Sequence, residues 1–261
     1  MIIREIETAL SPVLKKKQEA CSMHSLFNYK YPIGIGVSDK LHIFREHSGA
    51  YQYTTTVTLP MQVQEGTKAA FPVNELGECC CIITPGCLEE SDCFATILHE
   101  FVHCYQSRTC EDKLKAKLGI YQQAVIVQDY MWEIDHPFPY ENPDYLKLLQ
   151  NITGYDFDQI MDALSMLSEK LESFDCEYMI WQIWKEGFAR YIENRILRMN
   201  AMEENNNGSD PESPDRTSLY FIGNKFWTQL KLRNQSLVHD IEKGFTHLEN
   251  NYGLPSIHTN S

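Results

Sequence analysis

A chain of 261 residues with 43% hydrophobic side chains carries enough apolar material for one large domain or two modest ones, each with a packed core. Its 36 Asp and Glu outnumber 23 Lys and Arg, giving a formal charge of −13, so a phosphate backbone meets net repulsion and no nucleic-acid partner is expected. No window reaches the roughly 18 consecutive apolar residues of a membrane-spanning helix, and the opening MIIREIETALSPVLKKKQEA mixes charge into its apolar positions, unlike a secretion signal. A soluble, cytoplasmic protein without a membrane partner is therefore expected. Its nine cysteines, most of them crowded between Cys79 and Cys110, contain no C-x-x-C pair and read as reduced, buried thiols.

Residues 3 to 20 place apolar and charged side chains at helical spacing and predict an N-terminal helix. YPIGIGV, KLHIFRE and YQYTTTVTLPMQV are β-branched and aromatic, with SD and HSGA between them, and read as three strands joined by tight turns. CCCIIT at 79 to 84 is a fourth candidate strand, closed by Pro85 and Gly86. Ser91 or Asp92 then caps a helix running to about residue 108. Residues 112 to 172 read as mostly helical, broken by the prolines of DHPFPYENPDY, and one long apolar helix follows from Phe174 to about Met199. EENNNGSDPESPD is polar and predicts a mobile surface loop, LYFIGNKFWTQLKL resumes the helical period, and the tail after Tyr252 reads as loosely ordered. The fold class is α+β: a small mixed sheet with a helix at its end, then a mainly helical C-terminal part.

The predicted helix at 92 to 108 contains HEFVH. On a helix His99 and His103 stand one turn apart on the same face, the separation at which two imidazoles reach one metal ion, and Glu100 borders that face. Thr96, His99, Glu100, His103 and Ser107 form one polar line on an otherwise apolar helix, so the line is expected to face a cleft. Catalytic zinc needs a third protein ligand. A histidine six residues after the second is absent, because that position is Thr109, and Gln106 stands where the accompanying turn glycine would be. Two candidates remain open on pattern alone. Glu186, in IWKEGFARYIENRIL, is either a ligand or one half of a surface pair with Arg190; Cys87, in PGCLEE, is the other.

HEFVH followed by WKEGFARYIE resembles the gluzincin metallopeptidases, the thermolysin-like clan with its small members, over roughly residues 79 to 226. The resemblance implies a zincin-like fold, one catalytic zinc held by His99, His103 and Glu186, and Glu100 as general base in hydrolysis of a peptide or protein substrate. It further implies residues 1–110 and 111–261 as two parts of one catalytic domain, the second supplying the third ligand. A transition-state donor is expected at Tyr220, with His239 and His247 as fallbacks, and strand 79 to 84 is expected to be the edge on which an extended peptide pairs. The chain departs from the family in three ways. The His103-to-Glu186 separation is long, Arg190 replaces an aspartate four residues after the third ligand, and the segment that binds a free substrate amine is missing, which favours endopeptidase over aminopeptidase action. The alternatives are a non-catalytic, zinc-stabilised binding protein, and a deformylase-like amide hydrolase using Cys87.

Overall fold

The computed structural model describes residues 3–251; the tail expected to be loosely ordered lies outside the described residues. The described chain is α+β, with one five-stranded sheet and a helical remainder. It divides into two compact units, one formed by the residues up to Thr109 together with Ile192–Glu204, the other by Cys110–Tyr191 and the residues from Asn205 onward.

The first unit opens with helix α1 (Ile3–Ala20), whose Ile6, Leu10, Val13, Leu14 and Lys17 recur at helical spacing and are buried. Lys17 donates to Glu46 at 2.6 Å, satisfying an ammonium that burial would otherwise penalise. Strands β1 (Ile33–Val37), β2 (Lys40–His47) and β3 (Ala50–Thr58) form a meander. The β2–β3 turn is two residues long, and Ser48 and Gly49 both take positive φ, +50° and +81°, as the right-handed twist of a hairpin demands.

Strands β4 (Lys68–Val73) and β5 (Glu78–Ile83) complete the sheet in the order β3-β2-β1-β5-β4, with β1 and β5 parallel and every other pair antiparallel. This corrects the expectation that strand 79 to 84 is an edge. β5 is paired on both sides, and the exposed edge beside it belongs to β4. The KAAFPV of β4 carries two alanines and a proline, residues that lower strand propensity but that an edge strand tolerates.

On β5, Cys80 and Ile82 join Leu41, Ile43, Val57 and Val73 in a core covered by Leu59, Val63 and Leu76. Cys79 and Cys81 are buried on the other face, toward helix α2 (Cys93–Thr109), which packs on β4 and β5.

The second unit is helical, with α3 (Glu111–Lys115), α4 (Gly119–Val127), α5 (Trp132–Asp135), α6 (Pro143–Asn151) and α7 (Phe157–Ser168) preceding α8 (Ser173–Met199), of which the residues up to Tyr191 belong to this unit and those from Ile192 to the first. Helices α9 (Arg216–Arg233), α10 (Gln235–His239) and α11 (Ile241–Asn251) follow. Most of α8 is buried, apolar and polar side chains alike: Trp181, Trp184 and Phe188 lie in the core with Trp227 and Phe245, while Gln182, Arg190, Glu193 and Asn194 are buried polar groups. Two of these three indoles are satisfied, Trp184 donating to the carbonyl of Ile241 at 2.8 Å and Trp227 to that of Ile183 at 3.1 Å, whereas the buried Trp181 Nε1 has no hydrogen-bond partner among the described residues.

Helices α8 and α9 touch backbone to backbone, since a Cβ on Gly187 would lie 2.5 Å from the Gly223 Cα. Lys185 reaches Glu111 at 2.9 Å and Glu133 at 2.5 Å, fixing α3 and α5 to α8. The segment after α8 lacks helix and strand as expected, but it is anchored. Arg190 donates to the carbonyls of Asn205 and Asn207 at 3.2 and 3.3 Å, and Gly208, at φ +86°, packs against the Thr217 backbone. Among the described residues no helix is long and apolar enough to cross a membrane.

Candidate metal centre

The Asp92 carbonyl accepts from the Ala95 and Thr96 amides and starts α2, which sets the phase of the polar line. Glu100 is 6% exposed and His103 7%, the His99 side chain is 12% exposed, and Thr96 and Ser107 are half-buried, so the line is largely enclosed and opens only in part. The rings of His99 and His103 meet with centroids 4.9 Å apart and their Nε2 atoms at 3.1 Å.

Each ring is gripped at its other nitrogen. His99 Nδ1 lies 2.8 Å from a carboxylate oxygen of Glu193, and His103 Nδ1 lies 2.8 Å from the carboxamide oxygen of Gln106. An ionised carboxylate and an amide oxygen only accept, so both Nδ1 atoms carry the proton and both Nε2 lone pairs face the same point. Glu193 sits on α8, about two helical turns after Glu186 and on the same face, so the helix that holds His99 also carries Glu186.

The ligand-capable atoms of His99, His103 and Glu186 all lie within 4.8 Å of one another. Ligands about 2.1 Å from a shared tetrahedral ion stand roughly 3.4 Å apart, so the histidines already span one edge and Glu186 has little more than about 1 Å to close. Lone pairs converging from two imidazoles and a carboxylate are destabilised by mutual repulsion and stabilised by a cation. The residues fit a metal ion. The donor set alone does not choose the element, since imidazole and carboxylate suit several divalent metals.

Glu100 is outside that donor group and close to β5, where its charge, after burial, raises the Cys81 thiol. Tyr220 is on α9, 8% exposed, with the Arg190 and Arg216 guanidinium carbons 5.8 and 5.6 Å from its ring centroid. Burial first, and the Glu186 carboxylate second, hold its phenol well above the ordinary range against weaker opposition from Arg216, Arg190 and Lys185. Tyr220 is thus a protonated donor within the field of Glu186.

The other candidates lie elsewhere. Cys87 is in a short 3-10 turn (Pro85–Glu89), with its thiol 3.7 Å from the Thr84 hydroxyl and from the Thr67 carbonyl, and it is not among the gathered ligands. His239 ends α10, and His247 on α11 packs against Phe157 at 5.8 Å, where burial and then Arg233 lower its pKa. Neither is gathered with His99, His103 and Glu186. Arg190 is buried, 5% exposed, and Glu186 is half-buried, so neither is a surface group.

Glu193 and Gln106 are the functional residues that sequence reasoning missed. The signals were present: Glu193 is seven after Glu186, and Gln106 is three after His103, both spacings that share a helix face. Replacing Glu193 by Gln is expected to weaken metal binding by about 10- to 100-fold with the fold intact, because the His99 ring loses its charged anchor. Titration against a chromogenic chelator, beside the circular dichroism spectrum, checks this. Compared with models of known protein families, with curated proteins and with solved structures, the chain matches none.

Proposed function

We propose that this chain is a zinc-dependent metallopeptidase of gluzincin type, with a zincin-like core, hydrolysing internal peptide bonds of a peptide or protein substrate. One observation carries the reading: two histidines from HEFVH and Glu186 from EGFARY converge while Glu193 and Gln106 hold both imidazoles by their far nitrogens. An ion held there would polarise the scissile carbonyl and make a water acidic enough to lose its proton near neutral pH.

The chain's own groups do the rest. Glu100, next to a ligand but outside the donor group, takes the water proton and passes it to the leaving amine. The Tyr220 phenol, kept protonated by its surroundings, donates to the carbonyl oxygen as negative charge grows there. An extended substrate pairs its backbone with the open edge of β4, not with β5. Nine free cysteines suit a reducing compartment and with it a cytoplasmic location.

The test is turnover of a mixed peptide library, read by mass spectrometry. Cleavage is expected with zinc-loaded protein, lost on chelation and regained when zinc is restored. A protein that holds one metal per chain and cleaves nothing would instead be a zinc-stabilised binding protein.

A further inference from the structure

Helix α9 begins with a cation in an unfavourable place. Asp215 caps the helix, accepting from the Thr217 amide at 2.8 Å and the Thr217 hydroxyl at 2.6 Å, and the next residue is Arg216. The first turn of a helix carries positive partial charge, which disfavours a basic side chain there. Arg216 is also half-buried, and among the described residues it has neither an ion-paired carboxylate nor a hydrogen-bonded acceptor. Its neighbour is the face of Tyr220, 5.6 Å from guanidinium carbon to ring centroid.

Arg190, the other guanidinium at that ring, spends its Nη1 on the carbonyls of Asn205 and Asn207. Arg216 keeps its fork of donors. Its charge is felt by three phenols, Tyr140, Tyr178 and Tyr220, each of which burial keeps protonated. The carboxylates felt by these phenols, Asp215 at Tyr140 and Glu186 at Tyr220, are not ion-paired with Arg216. Unmet local preferences of this kind concentrate at functional or strained sites.

We propose that Arg216 anchors a carboxylate of the substrate, held beside Tyr220 one or two residues from the bond that is cut. The proposal rests on the peptidase reading and narrows its substrate class to peptides with an Asp or Glu side chain at that spacing; a terminal carboxylate in the same place would replace the endopeptidase part of that reading by release of one or two C-terminal residues, and the test separates the two sources.

The experiment uses full-length, zinc-loaded Glu100→Gln protein, which keeps the ligands and stops proton transfer. Three peptides of otherwise identical sequence serve as probes: a C-terminal acid, its C-terminal amide, and an amide carrying one glutamate near its end. Either acidic peptide is expected to bind about tenfold or more tighter than the neutral amide, as a charge-assisted hydrogen bond gives. The tighter of the two identifies the source of the carboxylate. Arg216→Gln should bring the ratio close to one at unchanged zinc content, and Arg216→Lys should keep part of it, since the charge remains and the fork is lost.

Equal binding of acidic and neutral peptides, or a preference that survives in Arg216→Gln, overturns the proposal. Parallel assays with Glu100 intact separate the two failures. Cleavage without acidic preference sinks the Arg216 anchor alone, whereas an Arg216-dependent preference without cleavage sinks the peptidase reading and leaves the anion site standing.

Discussion

Glu100→Gln is expected to lower peptide hydrolysis by at least about a hundredfold, the usual contribution of a positioned general base, while metal content stays at the level of the unaltered protein. The two halves of that outcome have separate physical origins. Glu100 is 6% exposed and lies outside the donor group formed by His99, His103 and Glu186, so an amide of the same shape leaves those donors in place. The amide cannot accept the proton of the attacking water at neutral pH. Loss of metal together with activity would mean that Glu100 acts through the ligands, and full activity in Glu100→Gln would remove it from the chemistry. Kinetics on a cleaved library peptide, beside metal analysis of the same preparation, decides between these outcomes.

Glu186→Ala is expected to act at the other end, on the metal itself. It removes one of three ligands, so affinity should fall by more than the roughly 10- to 100-fold expected for a group that only orients a ligand, such as Glu193. Ligand-linked stability offers a readout independent of activity. At a free metal concentration of about 1,000 times the dissociation constant, binding adds about 4 kcal/mol to the folded state, and a weaker site forfeits most of it. Thermal unfolding with and without zinc should therefore show a large shift in the unaltered protein and a small one in Glu186→Ala. Equal shifts would place the metal elsewhere.

How legible the molecule was depends on which interaction fixes each element. Helix α2 could be read because its signals are local: a turn before it, apolar residues around it, and HEFVH at a spacing that only a helix turns into a shared face. Helix α8 was legible from its length and large apolar side chains without a Pro to break them, and the hairpins β1–β2 and β2–β3 from residues suited to two-residue turns. β4 was not, because Ala69, Ala70 and Pro72 form a strand only through pairing with β5, a tertiary effect. That omission is also why β5 was expected at an edge.

The site divides in the same way. The two histidines and Glu100 follow from one short segment, whereas Glu186 needed a resemblance, since a ligand on a distant helix leaves no spacing to count. Glu193 and Gln106 were within reach of helical periodicity. The family pattern puts the partner of a histidine four residues after the third ligand, and here that position is Arg190, which instead ties down the loop carbonyls of Asn205 and Asn207.

The central claim is that His99, His103 and Glu186 hold one metal ion. Anomalous scattering from a crystal of zinc-loaded protein, recorded on both sides of the zinc absorption edge, tests it most directly. The expected result is a single strong peak about 2.1 Å from the Nε2 atoms of both histidines and from a carboxylate oxygen of Glu186. A peak located elsewhere, or none between those three side chains at full zinc occupancy in solution, would contradict it.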